Sequence, residues 1–323
     1  MFKNSYKSIS ESYQNLAYVT KPTYIPTVKP TPKPINKIVF TIGNIAGFFS
    51  LFHFFFTAYI YCRKNNLPIY IIDDNWTFKN KNGIDDYFII NKNIIKENVK
   101  MKNEKFENKL ELGHGFSHKN IVNKKMFDFT VSEYIFYIRE IYILNDVVKN
   151  KLNTYIKNIK LPMKYVSIFV RWGDKITSGE SKYVNPEKYI NFLVEKSKNN
   201  NIFIHSDDHN EILKYKELLK NKKYNIYFIT SDEDKGGAVV GSQYKKDFLK
   251  DKLAVDSMNN LQKKEHTEKM LCAIEIMKKS ELVVLDFQSN VSRFLKLYCE
   301  CPVYDIFGKD LKMNDIIHPA YGF

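Results

Sequence analysis

Residues able to manage a charged leaving group are concentrated in Tyr165-Val-Ser-Ile-Phe-Val-Arg171-Trp-Gly-Asp174-Lys175, with Glu180 close behind. The run 165–170 is apolar and β-branched, as in a buried strand, so Arg171, Asp174 and Lys175 fall at or just past its carboxyl end. In open α/β sheets, ligands occupy the crevice outside those ends. A guanidinium there offers a fixed fork of donors for phosphate or carboxylate. The plainer alternative is an arginine that caps a strand or pairs with a nearby acid.

Three further groups share this placement. Asp207-Asp208 follows the strand Asn201-Ile-Phe-Ile-His205, and one aspartate there is expected to cap the next helix. Asp286-Phe-Gln-Ser289-Asn290-Val-Ser-Arg293 follows another strand, and its Ser289 and Asn290 either cap a helix or receive an anion. Gly43 to Gly47 forms a turn before a helix whose first amides suit phosphate, and His53 in that helix is either a ligand or a satisfied core residue. Asp232-Glu-Asp234 has the form of a D-x-D metal site, in a polar loop.

The elements that must hold these groups alternate strand and helix. Strands are expected at 37–42, 67–73, 165–170, 201–205, 224–229, 281–286 and 302–306. Helices are expected at 48–63, 130–159, 186–198, 265–279, after Asp208 to about 220, and from Ser289 on. Residues 79–123 are charged and asparagine-rich and carry no clear pattern, and 232–262 reads as a polar excursion. The run 38–62 has the length of a membrane span, but Gly43, Gly47, Asn44, Ser50, His53 and Thr57 interrupt it, and a strand follows directly. Strand, glycine turn, helix and strand make a βαβ unit of nucleotide-binding type. The expected fold is α/β, with two Rossmann-like domains facing a cleft. Residues 1–36 are expected to form a proline-containing tail or stalk, 37–160 an amino-terminal Rossmann-like domain, and 161–323 a carboxy-terminal Rossmann-like domain.

A chain of 323 residues with 44% hydrophobic and 15% aromatic content is folded, not disordered. Its net charge of +14 comes from lysines scattered among asparagines and isoleucines, and no nucleic-acid-binding motif accompanies it, so no nucleic-acid partner is expected. The four cysteines are too few and too irregular for a disulfide framework. No apolar segment opens the chain, so no signal peptide is expected, and with 38–62 read as part of a βαβ unit no integral membrane span is expected. The location is left open between the cytoplasm and a peripheral membrane association.

Together these blocks resemble the α-1,6-fucosyltransferases, including the bacterial Nod-factor enzymes, and more distantly the α-1,2- and protein O-fucosyltransferases. Phe169-Val-Arg171-Trp-Gly-Asp174-Lys175 matches that family's His-x-Arg-Arg-x-Asp-Lys. Ser206-Asp207-Asp208 matches its Asp-Asp strand end, and Phe287-Gln-Ser289-Asn-Val291-Ser-Arg293 its Phe-Ser-Ser-x-Val-x-Arg. Gly47-Phe-Phe-Ser-Leu-Phe-His53, with Asn75-Trp76 downstream, matches its amino-terminal turn.

The resemblance spans about 37–306. It implies an inverting, metal-independent glycosyltransferase of GT-B-like build that moves fucose from GDP-fucose to a glycan hydroxyl, without cofactor or metal. Arg171 and Lys175 would serve the departing phosphate and Glu180 would be the catalytic base. Gly47, His53, Phe169, Asp174, Asp207, Asp208, Ser289, Asn290 and Arg293 would line the donor site. The family's SH3-like carboxy-terminal extension has no counterpart here. Two positions depart from the family pattern: Phe169 stands where a histidine helps hold the base, and Ala273, with Glu275 nearby, stands where an aspartate reads guanine. Two alternatives follow from these departures, a transferase using a non-guanine nucleotide sugar and an inactive glycan- or nucleotide-binding protein of the same fold.

Overall fold

The nine strands of this computed structural model, which describes residues 36–43, 47–97, 109–113, 129–171, 182–234, 236 and 258–308, form two all-parallel sheets. The first contains β1 (Lys37–Thr41), β2 (Ile69–Ile72), β3 (Ile94–Glu97) and β4 (Lys109–Gly113) in the order β3-β2-β1-β4. The second contains β5 (Val166–Val170), β6 (Asn201–Ser206), β7 (Asn225–Tyr227), β8 (Val283–Leu285) and β9 (Val303–Asp305) in the order β7-β6-β5-β8-β9. Each sheet grows outward from its first strand in one direction and then in the other. That reversal opens a crevice at the carboxyl ends, between β1 and β4 and between β5 and β8.

Helices α1 (Phe48–Lys64), α2 (Val131–Ile141), α3 (Asp146–Asn158), α4 (Pro186–Lys196), α5 (His209–Leu219), α6 (Asn260–Lys278) and α7 (Asn290–Tyr298) complete the described fold. The stretch with the length of a membrane span contains β1 and α1 as separate elements. None of the described helices is long and apolar enough to cross a membrane. Residues on opposite sides of α1, such as Phe49 and Leu51, are both buried. The first sheet, α2 and α7 enclose this helix, and a helix enclosed on all sides is apolar on all sides.

Three expectations shift. The single helix at 130–159 is two, because the chain turns at Tyr142–Asn145, where Leu144 bridges to Phe88 and Asn145 caps α3 through the Val148 amide at 3.0 Å. The helix expected from 265 begins at Asn260, started by a reciprocal capping box between Asn259 and Gln262. Within 79–123 lie β3 and β4, the two edges of the first sheet. An edge strand pairs on one side only and tolerates the charges of Lys-Leu-Glu-Leu-Gly. The expected tail lies outside the described residues.

One hydrophobic core runs through both halves. Phe294 of α7 packs on Phe49 of α1 at 4.6 Å between ring centroids and on Tyr142 at 4.8 Å. α3 meets α6 where Lys151 pairs with the buried Glu268 at 2.9 Å. At the centre of the seam is His53, fully buried, with Nδ1 2.7 Å from the Tyr134 hydroxyl and Nε2 3.2 Å from the Asn290 carbonyl. A carbonyl only accepts, so Nε2 carries the proton and Nδ1 accepts from Tyr134. Burial pushes this imidazole down to about 4, which keeps it in the neutral form that both bonds require.

This linkage has a pH signature. In the unfolded chain, position 53 takes up a proton near pH 6.5, whereas the buried ring refuses it until about pH 4. The unfolded state therefore binds more protons across that window, and stability declines as pH falls through it, by roughly 3 kcal/mol from this residue. Replacing His53 by Gln should reduce proton uptake on unfolding by about one between pH 6.5 and 4, measured as the slope of unfolding free energy against pH. An acid limb identical to wild type would contradict the neutral clamp.

Candidate functional site

The crevice of the second sheet is bounded by the chain leaving β5, which carries Arg171, and by the turn from β8 into α7. In that turn Asp286 accepts the Gln288 amide at 2.7 Å, and Ser289 caps α7 by accepting the Ser292 amide at 3.0 Å. The Asn290 side chain accepts from Arg293 at 3.5 Å while its carbonyl receives His53. No acidic residue occupies the first turn of α7. α1 likewise begins at Gly47 without a side-chain cap or an acidic first turn, and a Cβ at Gly47 would meet nothing within 4 Å. The His53–Asn290 bond thus joins two helices that each begin after the carboxyl end of a strand and carry no acidic residue in the first turn.

Arg171 donates to Asp207 across the ends of β5 and β6, and both side chains are mostly buried. Two predicted residues from separate blocks are therefore in direct contact. The Asp207 carbonyl also receives the Gly236 amide at 2.9 Å, and Asp208 caps α5 through the Asn210 amide at 3.0 Å. The Lys182 amide donates to Gln288 at 3.1 Å, which ties the chain ahead of α4 to the β8–α7 turn. Trp172, Asp174, Lys175 and Glu180 lie outside the described residues. Trp76 is a core residue, 5.4 Å from Phe48 between rings.

The two acids of Asp232-Glu-Asp234 serve different partners. Asp234 is buried, 2.6 Å from Lys269 and 2.8 Å from the Ser231 amide, whereas Asp232 is exposed and 3.5 Å from His209. The two carboxylates thus face different partners, a lysine on Asp234 and a histidine on Asp232.

The positions considered for reading guanine are also occupied. Ala273 is fully buried, Glu275 accepts the Tyr298 hydroxyl at 2.7 Å, and Glu268 pairs with Lys151 and Lys264. Phe169 is buried and pairs in register with His205 of β6, their rings stacked 6.1 Å apart. Sequence reading passed over His205, as it did His266 on α6. Burial pushes the His205 imidazole down to about 3 and lowers His266 as well, with Asp234 and Lys269 close enough to act on both. The missed signal was alternation along β6, which puts His205 on the same buried face as Phe203.

No family model matches the sequence, and no curated protein sequence matches it. Solved structures do. The NodZ α-1,6-fucosyltransferase soaked with GDP-fucose superposes with a TM-score of 0.52 at 9% identity, over 82% of this chain and 93% of that one. Fucosyltransferase NodZ from Bradyrhizobium gives 0.52 at 8% identity, over 85% and 97%. POFUT1 in complex with GDP-fucose gives 0.52 at 10% identity, over 84% and 98%. At such identities the likeness is one of architecture, and the chain has the fold of these fucosyltransferases.

Proposed function

We propose that this protein is an inverting, metal-independent glycosyltransferase that moves fucose from GDP-fucose to a glycan hydroxyl across a cleft between two Rossmann-like halves. The observation that carries the reading is the contact between the helix after β1 and the helix after β8, through His53 and the Asn290 carbonyl. It links the helix that follows β1 to the helix that follows β8, and α/β folds hold ligands where such helices leave the carboxyl ends of their strands. Arg171 stands at the same edge, and the fold is shared with fucosyltransferases solved with GDP-fucose.

In this reading the diphosphate lies between Arg171 and the amino end of α7. The acceptor oxygen attacks the anomeric carbon, the bond from that carbon to the phosphate oxygen breaks, and the electron pair leaves on the diphosphate. Arg171 and Lys175 stabilise the charge that accumulates there. Glu180 takes the proton from the attacking hydroxyl, and configuration at the anomeric carbon inverts. Asp207 holds the guanidinium in place before the donor arrives. The engaged state of Glu275 and Glu268 favours a second reading, a transferase of the same mechanism that uses a non-guanine nucleotide sugar.

Donor hydrolysis and transfer assays with GDP-fucose and other nucleotide sugars test the proposal. Turnover should be unaffected by EDTA, and absence of turnover with every donor would refute it. Arg171→Ala should lower transfer by about 100-fold or more with the fold intact by circular dichroism; a near-normal rate would exclude the phosphate role. Glu180→Gln should lower kcat by about 100-fold or more while donor Kd changes little. Equal losses in both would remove Glu180 as the base.

A further inference from the structure

Side chains along β6 alternate between two cores. Ile202 and Ile204 join the one shared with α4 and α5, whereas Phe203 lies in the one shared with α6 and α7. His205 follows Phe203 on that second face, stacks on Phe169, and is 5% exposed. Its Nδ1 is fully buried and has no hydrogen-bond partner among the described residues. Of the polar groups that face it, Lys269 and Asp234 bond each other and Asp234 also takes the Ser231 amide, while the third is the His266 ring on α6. An imidazole at a strand end, in a position that its neighbour Phe203 fills with hydrocarbon, brings hydrogen-bonding capacity that the protein leaves unused.

The place of this residue in the sheet identifies what would use it. β6 is the second strand of its sheet, adjacent to the central β5. In sheets of this winding the phosphates sit at the turn into the helix beside the switch point, and the nucleoside extends over the carboxyl end of the second strand. Arg171 and α7 mark the phosphate side here, and His205 lies on the nucleoside side. A neutral imidazole presents one donor and one acceptor, which suits ribose hydroxyls and base edges and does little for a phosphate.

We propose that His205 is a nucleoside-binding residue, hydrogen-bonding the ribose or base of the donor through its unpartnered ring nitrogen. The inference rests on the transferase reading above and adds a specificity-determining residue to it. Its burial also keeps the ring uncharged, with burial pushing it down to about 3, so the contact does not depend on protonation near neutrality.

Isothermal titration of the full chain with GDP, UDP and inorganic pyrophosphate tests it, using wild type, His205→Phe, His205→Asn and Arg171→Ala. His205→Phe should weaken GDP binding about tenfold and leave pyrophosphate within about twofold. It should melt no lower than wild type, because hydrocarbon replaces an unpaired buried nitrogen. His205→Asn, which retains a donor and an acceptor, should bind GDP with intermediate affinity, and Arg171→Ala should weaken both ligands. A loss shared by GDP and UDP supports a ribose contact, and one confined to GDP supports a base contact. Unchanged nucleotide binding in both folded position-205 variants overturns the proposal, as do equal losses for GDP and pyrophosphate, which would mark a structural role. Wild type that binds none of the three ligands overturns the transferase reading itself.

Discussion

One buried imidazole governs the geometry of this protein. His53 receives the Tyr134 hydroxyl on one ring nitrogen and donates to the first carbonyl of α7 on the other. Both bonds need the neutral ring, and complete burial supplies it. The same helices also meet through the packed rings of Phe49, Tyr142 and Phe294, so the connection is held by packing and aimed by hydrogen bonding. A histidine matched to a donor-site motif thus has both nitrogens engaged within the protein, between α1 and α7.

The chemistry assigned to that point draws on the same economy of charge. α1 and α7 start without acidic residues in their first turns, and Arg171 is held by Asp207 at the mouth of the second sheet. In the proposed reaction such a site would stabilise a departing diphosphate with groups already oriented, so little reorganisation would be needed as charge develops. The basic composition of the chain adds a long-range field that favours an anionic donor.

Much of this was legible in the sequence, for physical reasons. β5 is buried on both faces and therefore reads as an apolar run interrupted only by Ser167, which placed Arg171 at its end. α1 was legible once Gly43 and Gly47 were taken as a break. The edge strands β3 and β4 were not, because charges are tolerated where pairing is one-sided. The turn between α2 and α3 was hidden because Tyr142 and Leu144 continue an apolar pattern while packing as core. At the site, the pairing of Arg171 with Asp207 joins blocks 36 residues apart, and only the β5–β6 register brings them together. His205 escaped notice for the same reason, since its position matters only beside Phe169 on the neighbouring strand.

Thermal denaturation of the purified chain with GDP, UDP and CDP in turn tests the central claim most directly, because a ligand that binds the native state raises its melting temperature. The account predicts a selective rise with GDP that is lost in Arg171→Ala. No shift with any of the three nucleotides would contradict it.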